Sequence, residues 1–165
     1  AQHHMEEDAR LIVTNISQSA LDRARDQGLK VLDDPSAIYG VECDIFTPCA
    51  LGGILNDDTI PHLKCKVVAG SANNQLLKDR HGAMLQKSGI LYAPDYIVNA
   101  GGVINVFFEL GRAYNADAAV AKAGEIHNTV AGVIRSAKHE HISTAAAADR
   151  LAERRLDSVR RARLS

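Results

Sequence analysis

The chain has 165 residues, 46% of them hydrophobic and 24% charged, which suits one globular domain with a continuous apolar core. Its 19 Lys and Arg against 20 Asp and Glu give a formal net charge of -1, so charge does not favour nucleic acid or an anionic membrane as a partner. Aromatic residues make up 4%, and no apolar run approaches the roughly 20 residues that span a bilayer. Three cysteines without a Cys-x-x-Cys pair indicate free thiols in a reducing compartment, so we expect a cytoplasmic protein.

The first residues lack the usual signals of a helix start. Residues 1–8 predict the last turns of a helix already under way, because no Ser, Thr or Asp cap precedes them. We therefore expect further sequence upstream of Ala1.

The first strand and helix are predicted directly after this segment. A β-branched run over residues 11–14 predicts the strand. A helix follows over about residues 17–27 and ends at Gly28.

Three further short apolar runs predict buried strands. They cover residues 43–46, 66–69 and 90–93, and a polar helix over about residues 77–87 separates the last two. Their hydrophobicity is continuous rather than alternating, which is typical of parallel strands covered on both faces. Strands that alternate with helices in this way predict an α/β fold.

The last third of the chain is helical. Apolar residues recur at helical spacing from residue 117 to about residue 138, which predicts one long helix with a core-facing stripe. A second helix is predicted from about Thr144 into the Arg-rich end. No internal repeat or linker divides the sequence, so we expect a single domain over residues 1–165.

Ligands of a doubly wound sheet bind where the strands end, and the first two such corners leave two interpretations open. Asn15 and Ile16 follow the first strand, where a dinucleotide-binding fold meets the adenosine ribose, although Asn is equally a plain turn former. The small residues and paired glycine of residues 47–53 allow close approach of the backbone to a ligand, or form only a tight turn. Cys49 has no charged neighbour in sequence, so a packed thiol is favoured over a nucleophile.

Amide side chains dominate the third corner, residues 70–75. An Asn side chain pairs one acceptor with two donors, which matches the carboxamide of nicotinamide, and Asn73 and Asn74 both follow a buried strand. Capping of the next helix is the alternative, and it accounts for one Asn more easily than for the whole polar run.

The fourth corner, residues 93–106, is the most informative. Gly101 and Gly102 open the backbone next to Asn99, at the start of an apolar helix. Val103 and Val106 share one helical face and could line an aliphatic pocket, although valines at this spacing are more often core residues. No Ser/His/Asp or Cys/His set and no Gly-x-Gly-x-x-Gly motif is visible, and no metal site is predicted.

Together these corners resemble the glutamate/leucine/phenylalanine/valine dehydrogenase family, most closely its leucine dehydrogenases. The resemblance covers nearly the whole chain in order. Its most specific stretches are residues 38–44, 48–52, 69–76, 79–82, 92–106 and 147–153.

The resemblance implies a Rossmann-like domain with a doubly wound parallel sheet and C-terminal helices, which binds NAD. It also implies the oxidative deamination of leucine or another branched-chain L-amino acid to its 2-oxo acid and ammonia, in a homo-oligomer. Within that activity, Val103 and Val106 resemble the aliphatic wall that selects the substrate side chain. The cofactor-binding positions implied by the resemblance are Asn15, Ile16, Cys49, Ala50, Asn73, Asn99 and Gly101.

Three departures from the family pattern qualify this interpretation. The first strand and Gly-rich phosphate loop are expected upstream of Ala1, and so is the substrate domain with its general-base Lys. Asn15 stands where the family usually has Asp at the ribose corner, which weakens the choice of NAD over NADP. We therefore expect a piece of a longer enzyme that is inactive alone. The alternative is a non-catalytic nucleotide-binding or subunit-pairing module derived from that family.

Overall fold

The structure is a computed structural model that describes residues 8–110 and 114–164. Apart from Asp8, the helix predicted over residues 1–8 lies outside this range. The chain divides into two compact units. One extends to Glu42 and includes His62–Lys64; the other comprises Cys43–Pro61 and the residues from Cys65 onward.

The first unit is built around one β-α-β connection. Strand β1 (Ile12–Val13) pairs in parallel with strand β2 (Lys30–Val31), and helix α1 (Gln18–Asp26) connects them. Gly28 ends the helix with a φ of +75°, a conformation that glycine adopts without a Cβ penalty. The predicted first strand and helix are confirmed. Strand β2 was not predicted, since two residues beside a Gly turn carry too short an apolar pattern. A 3-10 helix (Pro35–Gly40) follows.

A three-stranded sheet contains the other predicted strands. Its order is β3 (Glu42–Phe46), β4 (Lys64–Val68) and β5 (Leu91–Tyr92), and β4 runs parallel to β5. A short 3-10 helix (Ile60–His62) precedes β4. The two sheets and the connecting helices agree with the Rossmann-like α/β class predicted from the sequence.

Six helices of the described chain follow β4, one of them before β5. They are α2 (Arg80–Lys87), α3 (Asp95–Val98), α4 (Gly101–Glu109), α5 (Ala116–Gly124), α6 (Ile126–Glu140) and α7 (Thr144–Leu164). The single helix predicted over residues 117–138 is wrong in one respect, because it is interrupted at Glu125. The Glu125 amide donates to the Lys122 carbonyl three residues back, a tight 3-10-type bond directly after the weak helix former Gly124.

The packing of α6 against α7 is the best-defined apolar cluster of the described residues. Val133 and Ala137 of α6 are buried against Ala147 and Ala148 of α7. Val133 and Ala137 belong to the core-facing stripe predicted on this segment, so the stripe is confirmed on α6. None of the described helices combines the length and apolar character required to cross a membrane.

Candidate functional site

Two of the predicted corners are hydrogen-bonded to each other along their backbones. The Ala72 amide donates to the Pro48 carbonyl at 2.9 Å, and the Gly53 amide donates to the Asn74 carbonyl at 2.7 Å. Asn74 has a φ of +53°, a left-handed conformation that Asn adopts more readily than most residues. The loop after β3 and the loop after β4 therefore form one paired unit.

Two glycines make this pairing possible. A Cβ on Gly70 would lie 2.1 Å from the Pro48 carbonyl oxygen, and a Cβ on Gly52 would lie 2.7 Å from the Asn73 carbonyl oxygen. Both distances are shorter than any side chain tolerates. The paired glycine in the second corner thus serves close loop–loop contact.

The amide side chains of the third and fourth corners meet. Asn99 Nδ2 donates to Asn73 Oδ1 at 2.5 Å, and it lies 3.4 Å from the Ser71 carbonyl oxygen. This contact uses neither Asn73 Nδ2 nor Asn99 Oδ1, so the pair retains one amide donor group and one amide acceptor for a ligand. The helix-cap alternative is not supported for Asn73, because α2 begins only at Arg80.

Behind this exposed contact lies a buried polar cluster. Asp95, which is 6% exposed, accepts the Gln75 amide at Oδ2 (2.6 Å) and the Tyr96 amide at Oδ1 (2.7 Å). The Asp95 amide donates to the hydroxyl oxygen of Tyr92 at 3.2 Å. Burial, and then the neighbouring Asp95 carboxylate, raise the pKa of Tyr92, so its hydroxyl stays protonated at neutral pH.

The start of α4 leaves open space beside the two amides. A Cβ at Gly101 or Gly102 would meet nothing within 4 Å. Val103 is 76% exposed and Val106 is 52% exposed, so neither belongs to the core. Burial within this chain therefore does not support the core alternative for these two valines, and they present an apolar surface on α4, the helix that follows Asn99.

Cys49 and Ala50 are both exposed, in the loop segment between the two backbone hydrogen bonds described above. The expectation of a packed Cys49 thiol is wrong, because the Cys49 side chain is exposed. Burial raises the pKa of the other two thiols, Cys43 and Cys65, so these behave as packed thiols.

Asn15 and Ile16 belong to the first unit. Asn15 Oδ1 accepts the Ser17 amide at 2.9 Å, an Asx turn just before α1, which agrees with its interpretation as a turn former. Its amide nitrogen takes no part in that bond. Ile16 is 89% exposed.

Sequence reasoning missed Gln75 and Asp95 as parts of the site. Each lies within four residues of a predicted binding residue, yet their contact joins positions 20 residues apart. The signal in the sequence was the charged Asp95 directly after Pro94 in an otherwise apolar corner, which indicates that Asp95 needs a polar partner but does not indicate which one.

The exposed groups match one half of a nicotinamide cofactor. A primary carboxamide needs one donor and one acceptor, which Asn73 and Asn99 offer, and the flat ring needs the open space above Gly101. The residues present therefore fit the group. No cluster of three or more His, Cys, Asp or Glu that could hold a metal ion occurs in residues 8–110 and 114–164.

The parallel strands, with polar loops at their ends, belong to a Rossmann-like α/β fold. Comparisons with known proteins then identify the family of this chain. Residues 3–163 match the family model described as glutamate/leucine/phenylalanine/valine dehydrogenase. The chain is 53% identical over 163 residues to a leucine dehydrogenase of Geobacillus stearothermophilus, covering 98% of this chain and 44% of that protein. It is 45% identical over 161 residues to a phenylalanine dehydrogenase of Bacillus thermotolerans, covering 94% and 42%.

Solved structures agree. An L-tryptophan dehydrogenase from Nostoc punctiforme superposes with a TM-score of 0.91 at 42% identity, covering 97% of this chain and 48% of that one. The chain belongs to the glutamate/leucine/phenylalanine/valine dehydrogenase family. It spans less than half the length of the curated relatives it matches.

Proposed function

We propose that this chain is the cofactor-binding part of an NAD-dependent amino-acid dehydrogenase. The reaction is the oxidative deamination of leucine or another branched-chain L-amino acid to its 2-oxo acid and ammonia. The observation that supports it most is the Asn73–Asn99 amide pair beside the open backbone of Gly101. Family membership and the similarity to leucine dehydrogenases support the substrate class.

In this proposal the amide pair orients the nicotinamide. Asn73 Nδ2 donates to the carboxamide oxygen, and Asn99 Oδ1 accepts from the carboxamide nitrogen. When bound, the nicotinamide supplies the hydride acceptor. Cys49 and Ala50 border the adenine-ribose side through the exposed loop they occupy.

The choice of NAD over NADP rests on the ribose corner of the first unit. Asn15 is neutral, so it hydrogen-bonds ribose hydroxyls without the repulsion by which a carboxylate rejects a 2'-phosphate. We expect NADH to bind more tightly than NADPH, because the 2'-phosphate of NADPH would lose hydration while no Arg follows Asn15 directly to pair with it. The change Asn15→Asp should widen the difference. Equal affinities for NADH and NADPH in the Asn15→Asp variant would contradict this assignment.

Val103 and Val106 form the aliphatic side of the substrate site, next to the nicotinamide position. A general-base Lys comes from outside these 165 residues, so this chain alone gives no turnover. We also propose a cytoplasmic homo-oligomer for the natural gene product, which sedimentation of that product and cell fractionation would test.

The direct test is a fluorescence titration of the natural gene product with NADH, followed by leucine-dependent NAD reduction. Asn99→Ala should weaken NADH binding about tenfold, equal to about 1.4 kcal/mol, the scale of one or two hydrogen bonds. Asn128→Ala is the matched control, since Asn128 is exposed on α6. NADH binding without turnover on any amino acid would favour the non-catalytic module. Absence of NADH binding would refute the proposal.

A further inference from the structure

The two loop segments that end in Asn73 and Asn99 need a connection stronger than their own contact. That contact is an exposed hydrogen bond between neutral amides, and such bonds contribute little against competing water. The buried connection beneath it is the Asp95 carboxylate. It accepts the Gln75 amide of the loop after β4 at 2.6 Å and the Tyr96 amide at the start of α3 at 2.7 Å.

Gln75 extends this connection into the loop that contains Asn73. Its side chain is fully buried, and Nε2 donates to the Gly70 carbonyl at 2.8 Å and to the Ala72 carbonyl at 2.9 Å. These two carbonyls bracket the turn that immediately precedes Asn73. Rotation of the turn would break both bonds, so Gln75 fixes the direction in which Asn73 leaves it.

The chemistry of Gln75 indicates a role in orientation more than in stability. Its Oε1 is buried and has no hydrogen-bond partner among the described residues. An unpaired buried acceptor is destabilising and offsets part of what the two Nε2 bonds contribute. An apolar side chain of similar length would fill this space without that cost, but it would not hold the turn.

The other side of the connection is anchored to the sheet and to α7. The Asp95 amide donates to the Tyr92 hydroxyl oxygen at 3.2 Å, and the Tyr92 carbonyl accepts the Thr144 hydroxyl at 2.5 Å. Asp95, four residues before Asn99, is therefore connected through Tyr92 to β5 and to the start of α7. Since α3 spans only Asp95–Val98, the position of Asp95 sets that of Asn99.

We propose that Asp95 and Gln75 are positioning residues, which hold the Asn73 and Asn99 amides in the spacing and orientation that the nicotinamide half of the cofactor requires. This inference rests on the proposed function. It differs from a purely structural role in one measurable respect. Positioning acts on the nicotinamide half alone, whereas partial unfolding of the loops weakens binding of every part of the dinucleotide.

The test compares two ligands, NADH and ADP-ribose, on the natural gene product by isothermal titration calorimetry. ADP-ribose lacks the nicotinamide ring and therefore reports only on the rest of the site. Asp95→Asn leaves one acceptor oxygen for two backbone amides. Gln75→Met removes the side-chain donors at similar length. Asp149→Asn is the matched control, because Asp149 lies on α7 and accepts the exposed Tyr96 hydroxyl, at 2.8 Å, outside the buried cluster.

We expect both variants to bind NADH about tenfold more weakly, equal to about 1.4 kcal/mol, with ADP-ribose affinity within about twofold of wild type. The Asp149→Asn protein should bind both ligands as wild type does. Parallel losses for NADH and ADP-ribose, or no loss for either, would overturn the inference. Wild-type protein that binds neither ligand would instead refute the proposed function, and the inference with it.

Discussion

Gly70→Ala is the substitution whose consequence the structure specifies most closely. The added Cβ would lie 2.1 Å from the Pro48 oxygen, 2.5 Å from the Pro48 nitrogen and 2.6 Å from its Cδ. Real Cβ contacts essentially never fall below 3.0 Å, so the two loops must move apart by about 0.9 Å. The obstructing atoms are mostly backbone, and no rotamer change can relieve the contact.

The magnitude follows from two contributions. Overpacking of this kind costs about 1–3 kcal/mol. Separation of the loops also stretches the 2.9 Å bond from the Ala72 amide to the Pro48 oxygen, which contributes about 0.5–1.5 kcal/mol. We therefore expect the free energy of unfolding to fall by about 2–4 kcal/mol. NADH binding should weaken as well, because the displaced loop contains Asn73.

Urea denaturation of the natural gene product measures this effect. With a urea dependence of about 2 kcal/mol per molar, the midpoint should fall by about 1–2 M. Gly124→Ala is the control, since a Cβ there meets nothing within 4 Å at the end of α5. That variant should unfold at the wild-type midpoint or slightly above it. A Gly70→Ala midpoint equal to that of wild type would contradict the predicted clash between the new Cβ and Pro48.

Three further substitutions test the core, a buried hydrogen bond and a charge pair. Leu55→Ala, at a fully buried position, should lower the unfolding free energy by about 2–5 kcal/mol in urea, and a loss below about 1 kcal/mol would contradict its burial. Thr144→Val leaves the buried Tyr92 carbonyl without its donor and should cost about 1–3 kcal/mol by the same assay. Arg80 donates a hydrogen bond to Asp57, which lowers the pKa of the Asp57 carboxyl. The pair therefore stabilises the folded state at a pH above the ordinary carboxyl pKa. This stabilisation is lost as the pH falls through the lowered pKa of folded Asp57. Asp57→Asn should therefore melt below wild type at pH 7 and approach it below about pH 4, and a difference that persists in acid would contradict this.

The elements that the sequence predicts well are those with local signals. The first helix and its stop depend on neighbouring residues, namely the turn before α1 and Gly28 after it. The break at Glu125 was not predictable from the apolar stripe, because the stripe continues through it. Only the weak propensity of Gly124 marks it, and propensity alone rarely decides a helix boundary.

In the candidate site, too, features with local sequence signals could be predicted, and features set by tertiary contacts could not. Asn73 and Asn99 could be named as candidates from the sequence, because each lies after a predicted strand and carries an amide. That they contact each other depends on loops 26 residues apart in sequence. The Gln75–Asp95 connection was not predictable, since its partners are set by tertiary packing. The exposure of Cys49 was not predictable either, because its neighbours in sequence do not show how the loop is packed.

The exposed valines of α4 allow a last prediction, one that separates folding from function. Val103, Val106, Phe107 and Leu110 are all at least 52% exposed, and their spacing places them on one face of the helix and its end. An apolar face that begins next to Gly101 and the amide pair is typical of a binding surface, because such patches are costly to leave in water.

Because Val103 is exposed, Val103→Thr should change the free energy of unfolding by no more than about 0.5 kcal/mol. It should lower kcat/KM for leucine about tenfold or less, since a hydrophobic contact of one methyl group contributes about 1 kcal/mol or slightly more. Unchanged kcat/KM with unchanged stability would contradict the proposed contact of Val103 with substrate. A large loss of stability would show instead that the valine is buried in the full-length protein.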